Sequence, residues 1–185
     1  MKDNRKIAPE LLERLKRIRL LILDVDGVLT DGGIVMNDLG QETKSFNVRD
    51  GHGLKLLMRY RVDVALLTGR QSEVVQHRAR DLGIVEVHQR IWDKLAAYEE
   101  MIRRRGLEDG EVAFMGDDIV DVPVLRRVGF AATVADGSHE AKSMVHYVAC
   151  RDGGKGAVRE VCDLILKAQG HWPDISKKYQ LNQED

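Results

Sequence analysis

Several kinds of feature are missing from this chain, and each absence narrows what it does. Two cysteines, Cys150 and Cys162, are all that its 185 residues contain. Their separation fits no metal-ligand spacing and calls for no disulfide, so they read as free thiols of a reducing compartment. No apolar run approaches the roughly 18 residues that span a bilayer. The N-terminus alternates charged and apolar residues and lacks the form of a signal peptide, which makes the cytoplasm the expected location. Lysine and arginine (29) nearly balance aspartate and glutamate (30), for a net charge of -1. That balance gives no electrostatic reason to expect a nucleic-acid or anionic-membrane partner. Neither GxGxxG nor a Walker loop occurs, so no nucleotide-binding fingerprint is present. Internal repeats and low-complexity stretches are absent as well.

Apolar residues make up 43% of the chain and charged residues 32%, the balance of an ordinary folded protein. One well-packed domain of this size buries about 70% of its extended surface. The expected organisation is a single domain over residues 1–170 followed by a polar tail over residues 171–185.

The stretch from Leu21 to Gly33 reads LILDVDGVLTDGG. Its apolar run has the length and composition of a buried strand and stops abruptly at Asp24, Val25 and Asp26. Carboxylates placed where a buried strand turns are costly unless a cation or hydrogen-bond donors compensate. The same form recurs downstream. Val62 to Leu67 is a strand candidate ending at Thr68-Gly69-Arg70, and Glu111 to Met115 is another, ending at Gly116-Asp117-Asp118. Short strands are also expected over Ile84 to Val87, Gly129 to Ala135 and His146 to Ala149. Helical patterns cover Pro9 to Arg17, Gln71 to Leu82, Asp93 to Arg105, Ile119 to Val128 and Ala157 to Ala168. This alternation predicts an α/β fold with a mostly parallel sheet and flanking helices. In such folds ligands bind beyond the carboxyl ends of the strands, where Asp24, Asp26, Thr68, Asp117 and Asp118 all stand.

Residues 34–48 read as a β-hairpin: Ile34, Val35 and Met36, a turn at Asn37-Asp38-Leu39-Gly40, then an extended stretch from Glu42 to Val48. Little neighbouring sequence is available to cover its apolar side chains, so packing against another subunit is expected. Arg49 to Gly53 reads as a polar junction before a helix. The tail, with Trp172, Pro173 and Tyr179, is expected to be disordered or ordered by a neighbour.

Carboxylates from separate strand ends meeting on one sheet edge repel one another, and a hard divalent cation is the cheapest compensation. An oxygen-only donor set favours Mg²⁺ over zinc. Phosphoryl transfer suits this geometry. Asp24 is placed to attack phosphorus, and Asp26 to protonate the leaving oxygen and then activate water. Thr68 and Lys94 offer a hydroxyl and a positive charge to the phosphoryl group. Asp117 completes the metal shell, with Asp118 or Asp121 as an outer ligand or helix brace. Each residue also has a plainer reading taken alone. Thr68 suits a turn, Lys94 a solvated helix start, and a lone Asp-x-Asp an acidic loop; the argument lies in their recurrence at strand ends.

These residues carry a resemblance. DVDGVLTDGG resembles the first motif of the haloacid dehalogenase (HAD) superfamily, Thr68-Gly69-Arg70 the second, Lys94 the third and Gly116 to Asp121 the fourth. Within it, LTDGG, KSFNVRDGHG, LTGR, GDDIVDVPVL and GGKGAVREVCDLIL are similar to the 3-deoxy-D-manno-octulosonate (KDO) 8-phosphate phosphatases. The resemblance implies a Rossmann-like HAD fold with a β-hairpin as minimal cap. It implies Asp24 as nucleophile and Asp26 as general acid/base. The implied magnesium set is Asp24, the Asp26 backbone carbonyl and Asp117, with Asp118 in support. Thr68, Gly69 and Lys94 would hold the phosphoryl group, and Arg49 and Arg78 the carboxylate of a sugar-acid phosphate. A homotetramer assembled through the hairpins is implied too, as is a place in making the lipopolysaccharide inner core. Two other readings stand beside this one: a phosphatase of a nine-carbon 2-keto-3-deoxy acid 9-phosphate, and a non-catalytic HAD-like module serving only an oligomeric interface.

Overall fold

The computed structural model describes residues 8–181. Helix α1 (Pro9–Lys16) starts with proline in its first turn, where the missing N–H has no helical partner to lose. Strand β1 (Leu20–Leu23) follows, then a hairpin of β2 (Val35–Met36) and β3 (Glu42–Thr43). Next come α2 (Val48–Arg59), β4 (Asp63–Leu67), α3 (Glu73–Leu82), β5 (Glu86–His88) and α4 (Lys94–Arg105). Strand β6 (Val112–Met115), α5 (Val122–Leu125), β7 (Phe130–Thr133), α6 (His139–Ser143), β8 (Tyr147–Val148), α7 (Ala157–Ala168) and α8 (Trp172–Lys178) complete the described chain.

Six strands form one sheet in the order β5-β4-β1-β6-β7-β8, and every pairing in it is parallel. From β1 the chain builds outward through β4 and β5, then returns to build the other side from β6. The reversal of direction leaves a crevice at the carboxyl end of β1. Register brings the neighbouring strand ends level there, because Leu23 pairs with both Leu66 and Met115. The α/β class and the parallel core sheet are as the sequence predicts.

Successive strand residues supply opposite faces, as a period of two requires. Leu21 and Leu23 of β1 pack with Val64 and Leu66 of β4 under α1, α2, α3 and α7. Leu20 and Ile22 join Ala65, Leu67 and Phe114 under α4 and α5, against Tyr98, Met101, Val124 and Leu125. Both faces are buried, so the strands read as continuous apolar runs rather than alternating ones.

Three stretches differ from the sequence reading. The hairpin is antiparallel, as expected, but only two residues long in each strand. The chain leaves it by Lys44 and enters α2 at once. Arg49 to Gly53, read as a junction, is the first part of that helix. Asn47 caps it by accepting from the Arg49 N–H at 2.8 Å. The helix holds its glycines because α2 lies against α7, where a Cβ on Gly53 would press on Arg159 and Cys162. Asp50, one turn in, is buried and caps α7 across that contact, accepting from the N–H of Arg159 at 2.7 Å and of Gly156 at 3.3 Å. The second difference is at Ile119 to Asp121, a 3-10 turn that leaves α5 with only four residues. The third is the tail. Residues 172–178 form α8 within this chain, with Ile175 buried in the same core as α1 and α7, and Lys167 lies 4.6 Å from the Trp172 ring centre.

Candidate active site

Asp24 is the first residue past β1, and its N–H still donates to the Met115 carbonyl at 2.9 Å. The ladder itself therefore sets its position. Gly27, in the turn that follows, has a φ of +89°, and a Cβ there would collide with the Asp117 carboxylate. Glycine is what lets the loops after β1 and β6 meet. Asp121 is wholly buried. Its Oδ2 accepts from the N–H groups of Asp117 at 3.0 Å and Asp118 at 3.2 Å, and its Oδ1 accepts from Lys94 Nζ at 2.5 Å. The 3-10 turn thus folds Asp121 back to brace the loop that presents Asp117.

Lys94 opens α4 just after Asp93, which caps the helix by accepting from the Ala96 N–H at 3.0 Å. The loop before it is tied to the loop after β4: Ile91 N–H donates to the Thr68 carbonyl at 3.1 Å and Arg90 N–H to the Arg70 carbonyl at 3.2 Å. Lys94 is buried, and its Nζ also stands 3.1 Å from Asp24 Oδ1. Thr68 is buried at the end of β4, with its N–H bonded to the His88 carbonyl at 2.9 Å. Its Oγ1 accepts from the Arg70 N–H at 3.4 Å; Gly69 lies between them.

Carboxylate oxygens of Asp24, Asp117 and Asp121 all lie within 4.8 Å of one another. When all three are ionised, one ammonium against them leaves an excess of two negative charges (three minus one). Burial, then the charge of Asp121, raises Asp24 to about 6, while Lys94 pulls the other way. Burial and the charges of Asp24 and Asp121 raise Asp117 to about 7. Burial works against the charge on Lys94, yet Asp24 and Asp121 outweigh it and hold the ammonium above its usual range. Asp24 Oδ1 is buried with the Lys94 ammonium as its neighbour, and one ammonium does not balance three carboxylates. An all-carboxylate donor set with excess negative charge fits a hard divalent cation such as Mg²⁺. The residues present suit that ion.

A haloacid dehalogenase-like hydrolase family model matches residues 79–159. The KDO 8-phosphate phosphatase KdsC of Yersinia pestis is 47% identical over 88% of this chain and 87% of its own length. A crystal structure of the Moraxella catarrhalis KDO 8-phosphate phosphatase, in complex with magnesium, phosphate and KDO, superposes with a TM-score of 0.91. It is 39% identical and covers 94% of this chain and 99% of that one. A cobalt-bound Haemophilus influenzae phosphatase superposes with a TM-score of 0.82 at 41% identity, covering 85% of this chain and 92% of that one. The chain belongs to the haloacid dehalogenase superfamily. It is a phosphatase of that superfamily, closely related to the KdsC enzymes.

The HAD site gathers some of the expected residues and leaves others apart. Asp24, Asp117 and Lys94 stand together, and Thr68 sits at the carboxyl end of the neighbouring strand β4. Asp118 is exposed, outside the tri-aspartate cluster, and its carboxylate caps its own turn through the Ile119 N–H at 2.7 Å. Buried Asp121 has the place beside the metal site that the sequence left open between the two. The Asp26 side chain turns away from the cluster to form an ion pair with Lys44, with Arg70 Nε 3.6 Å from its other oxygen. Arg49 is exposed at the start of α2. Arg78 pairs with Asp81 at 2.8 Å, reaches the Asn47 carbonyl at 3.4 Å and lies over the Phe46 ring. Neither arginine touches the aspartate cluster among the described residues; Arg78 reaches Asn47 with its guanidinium, whereas Arg49 meets it only through its backbone N–H.

Lys44, Glu42 and Arg70 are the site residues that sequence reasoning passed over. One signal was there to read. Glu42 and Lys44 stand two apart in an extended segment and so share a face, and a charged face on an otherwise apolar hairpin needs partners of its own.

Proposed function

We propose that this HAD phosphatase hydrolyses KDO 8-phosphate to KDO and inorganic phosphate, with Mg²⁺ as cofactor and an aspartyl-phosphate on Asp24 as intermediate. The observation that carries the reading is the tri-aspartate cluster at the carboxyl ends of β1 and β6, with more carboxylate charge than Lys94 balances, on a chain 47% identical to a KDO 8-phosphate phosphatase. Asp24, Asp117 and the Asp26 backbone carbonyl would hold the ion, with Asp121 bracing them from behind rather than the exposed Asp118. Magnesium, when bound, supplies charge neutralisation at the phosphoryl oxygens and lets an anion approach an acidic site.

In the first step an Asp24 carboxylate oxygen attacks phosphorus in line as the bond from phosphorus to the sugar oxygen breaks. That oxygen leaves with the bonding pair and takes a proton from Asp26. In the second step water gives a proton to Asp26 and its oxygen attacks the aspartyl-phosphate, releasing phosphate and restoring Asp24. The Thr68 hydroxyl, the Gly69 backbone and the Lys94 ammonium hold the phosphoryl oxygens through both steps. Arg49 and Arg78 take the sugar-acid carboxylate. The working assembly is a cytoplasmic homotetramer joined through the hairpin, whose Ile34, Val35, Met36 and Leu39 are all more than half exposed.

Initial rates of phosphate release test the substrate. With Mg²⁺, kcat/KM for KDO 8-phosphate is expected to exceed that for a nine-carbon 2-keto-3-deoxy acid 9-phosphate, and EDTA is expected to abolish both. A preference for the nine-carbon acid would reassign the substrate while keeping the chemistry. No release from any sugar phosphate with Mg²⁺ would instead support a non-catalytic interaction module.

A further inference from the structure

The Lys44 side chain is only 1% exposed. An ammonium withdrawn that far from water costs several kcal/mol unless it is paired. Lys44 is the first residue past β3, and two carboxylates meet it: an oxygen of Asp26 in a short ion pair, and Glu42 Oε1 at 3.1 Å. Arg70 closes the ring. Its Nη2 donates to Glu42 Oε1 at 2.6 Å, and its Nε stands 3.6 Å from Asp26 Oδ2. One oxygen of Asp26 is thus held by the hairpin, while the other, 3.6 Å from Arg70 Nε and outside hydrogen-bond contact, stays open to carry the proton. The contrast within the hairpin is large: Val35 and Met36 of β2 are about 60% and 58% exposed, while Lys44 is sealed against the loop that follows β1. With only two residue pairs in its ladder, the hairpin grips the domain beside Asp26 through Glu42 and Lys44.

We propose that Lys44 is a positioning residue for Asp26, supplied by the hairpin to fix the carboxyl that serves the leaving oxygen. The inference rests on the phosphatase reading above and adds the element that holds the proton carrier in place. An Asp side chain turns freely about two torsions, and a reacting group misplaced by about 1 Å loses on the order of 100-fold in rate. The Lys44 ion pair on one oxygen removes much of that freedom and leaves the second oxygen to the proton. Lys44 itself neither gives nor takes a proton. The proton passes from Asp26 to the ester oxygen as that oxygen keeps the bonding pair, and Glu42 keeps the Lys44 ammonium on the Asp26 side instead of among the metal-site carboxylates.

The test compares two leaving groups. A sugar alkoxide needs the proton to depart, whereas 4-nitrophenolate leaves without it, so placement of Asp26 matters more for the first. We expect Lys44→Met to lower kcat/KM for both KDO 8-phosphate and 4-nitrophenyl phosphate, but for the sugar phosphate by at least about ten-fold more. The loss falls on kcat, with KM within about two-fold, as expected of a residue that acts through Asp26 alone. Lys44→Arg recovers most of the lost rate, and Glu42→Gln gives the same asymmetry at smaller size. Equal losses on the two esters would overturn the proposal in favour of a structural salt bridge. A change confined to KM for the sugar phosphate would overturn it in favour of substrate contact. Should Lys44→Met fail to fold, the Lys44→Arg and Glu42→Gln comparison is decided by the same criterion. If the wild type hydrolyses other alkyl phosphates but not KDO 8-phosphate, the substrate reading fails alone, and the leaving-group comparison is made with the alkyl phosphate it accepts.

Discussion

Asp24 and Asp117 bear most of the electrostatic strain of the site, and this has a measurable consequence. Both carboxyls titrate well above the ordinary 3.8, Asp24 at about 6 and Asp117 at about 7. Between about pH 4 and 7 these two carboxyls, without metal, bind more protons in the folded protein than in the unfolded chain, and the stability they contribute is lost as pH rises through that window. Mg²⁺ needs the ionised carboxylates, so its stabilising effect grows over the same range. Thermal melts with EDTA and with saturating Mg²⁺ are expected to show a larger metal-induced rise in Tm at pH 7.5 than at pH 5.5. An equal rise at both would contradict the assigned ligands. At this scale the sequence was legible where chemistry follows a strand end, as at Asp24, Thr68 and Asp117. It was not legible where a side chain's direction decides. Nothing in Gly116-Asp117-Asp118-Ile119-Val120-Asp121 says that a 3-10 turn will bury the last acid and expose Asp118.

At the level of elements, apolar runs stopping at aspartate, threonine or glycine marked the buried strands β1, β4, β6 and β7, because a strand buried on both faces has no other composition open to it. Strands β5 and β8 are only half-buried. The start of α2 escaped that logic. Gly51 and Gly53 read as breakers, yet close packing against Arg78 and Arg159 requires them inside the helix. Helix α8 escaped for a related reason: a polar segment of seven residues buries just Ile175 and Ser176, too weak a pattern to separate from a tail. Ile175 nonetheless packs in the main core at 2% exposure. Ile175→Ala is expected to lower the free energy of unfolding by about 2–4 kcal/mol in a urea titration. A change below about 0.5 kcal/mol would mean that α8 contributes nothing to the fold.

For the molecule as a whole, the hairpin joins the two parts of the account. Its inner residues Glu42 and Lys44 reach the site, and its outer residues Val35, Met36 and Leu39 offer an apolar surface of the kind that marks contact with another protein. If the proposed homotetramer forms there, a charge at that surface breaks it: wild-type protein is expected to elute as four chains by light scattering and Met36→Asp with a smaller mass. The same mass for both proteins would place the subunit contact elsewhere. Among the described residues no helix is long and apolar enough to cross a membrane.

If Asp24 itself carries the phosphoryl group, the aspartyl-phosphate can be trapped. Enzyme mixed with KDO 8-phosphate and Mg²⁺, quenched in acid within one turnover and digested, is expected to yield the peptide bearing Asp24 with one added phosphoryl group. Asp24→Asn should give neither the adduct nor free phosphate. Phosphate released with no adduct on any residue, or turnover undiminished in Asp24→Asn, would contradict the mechanism.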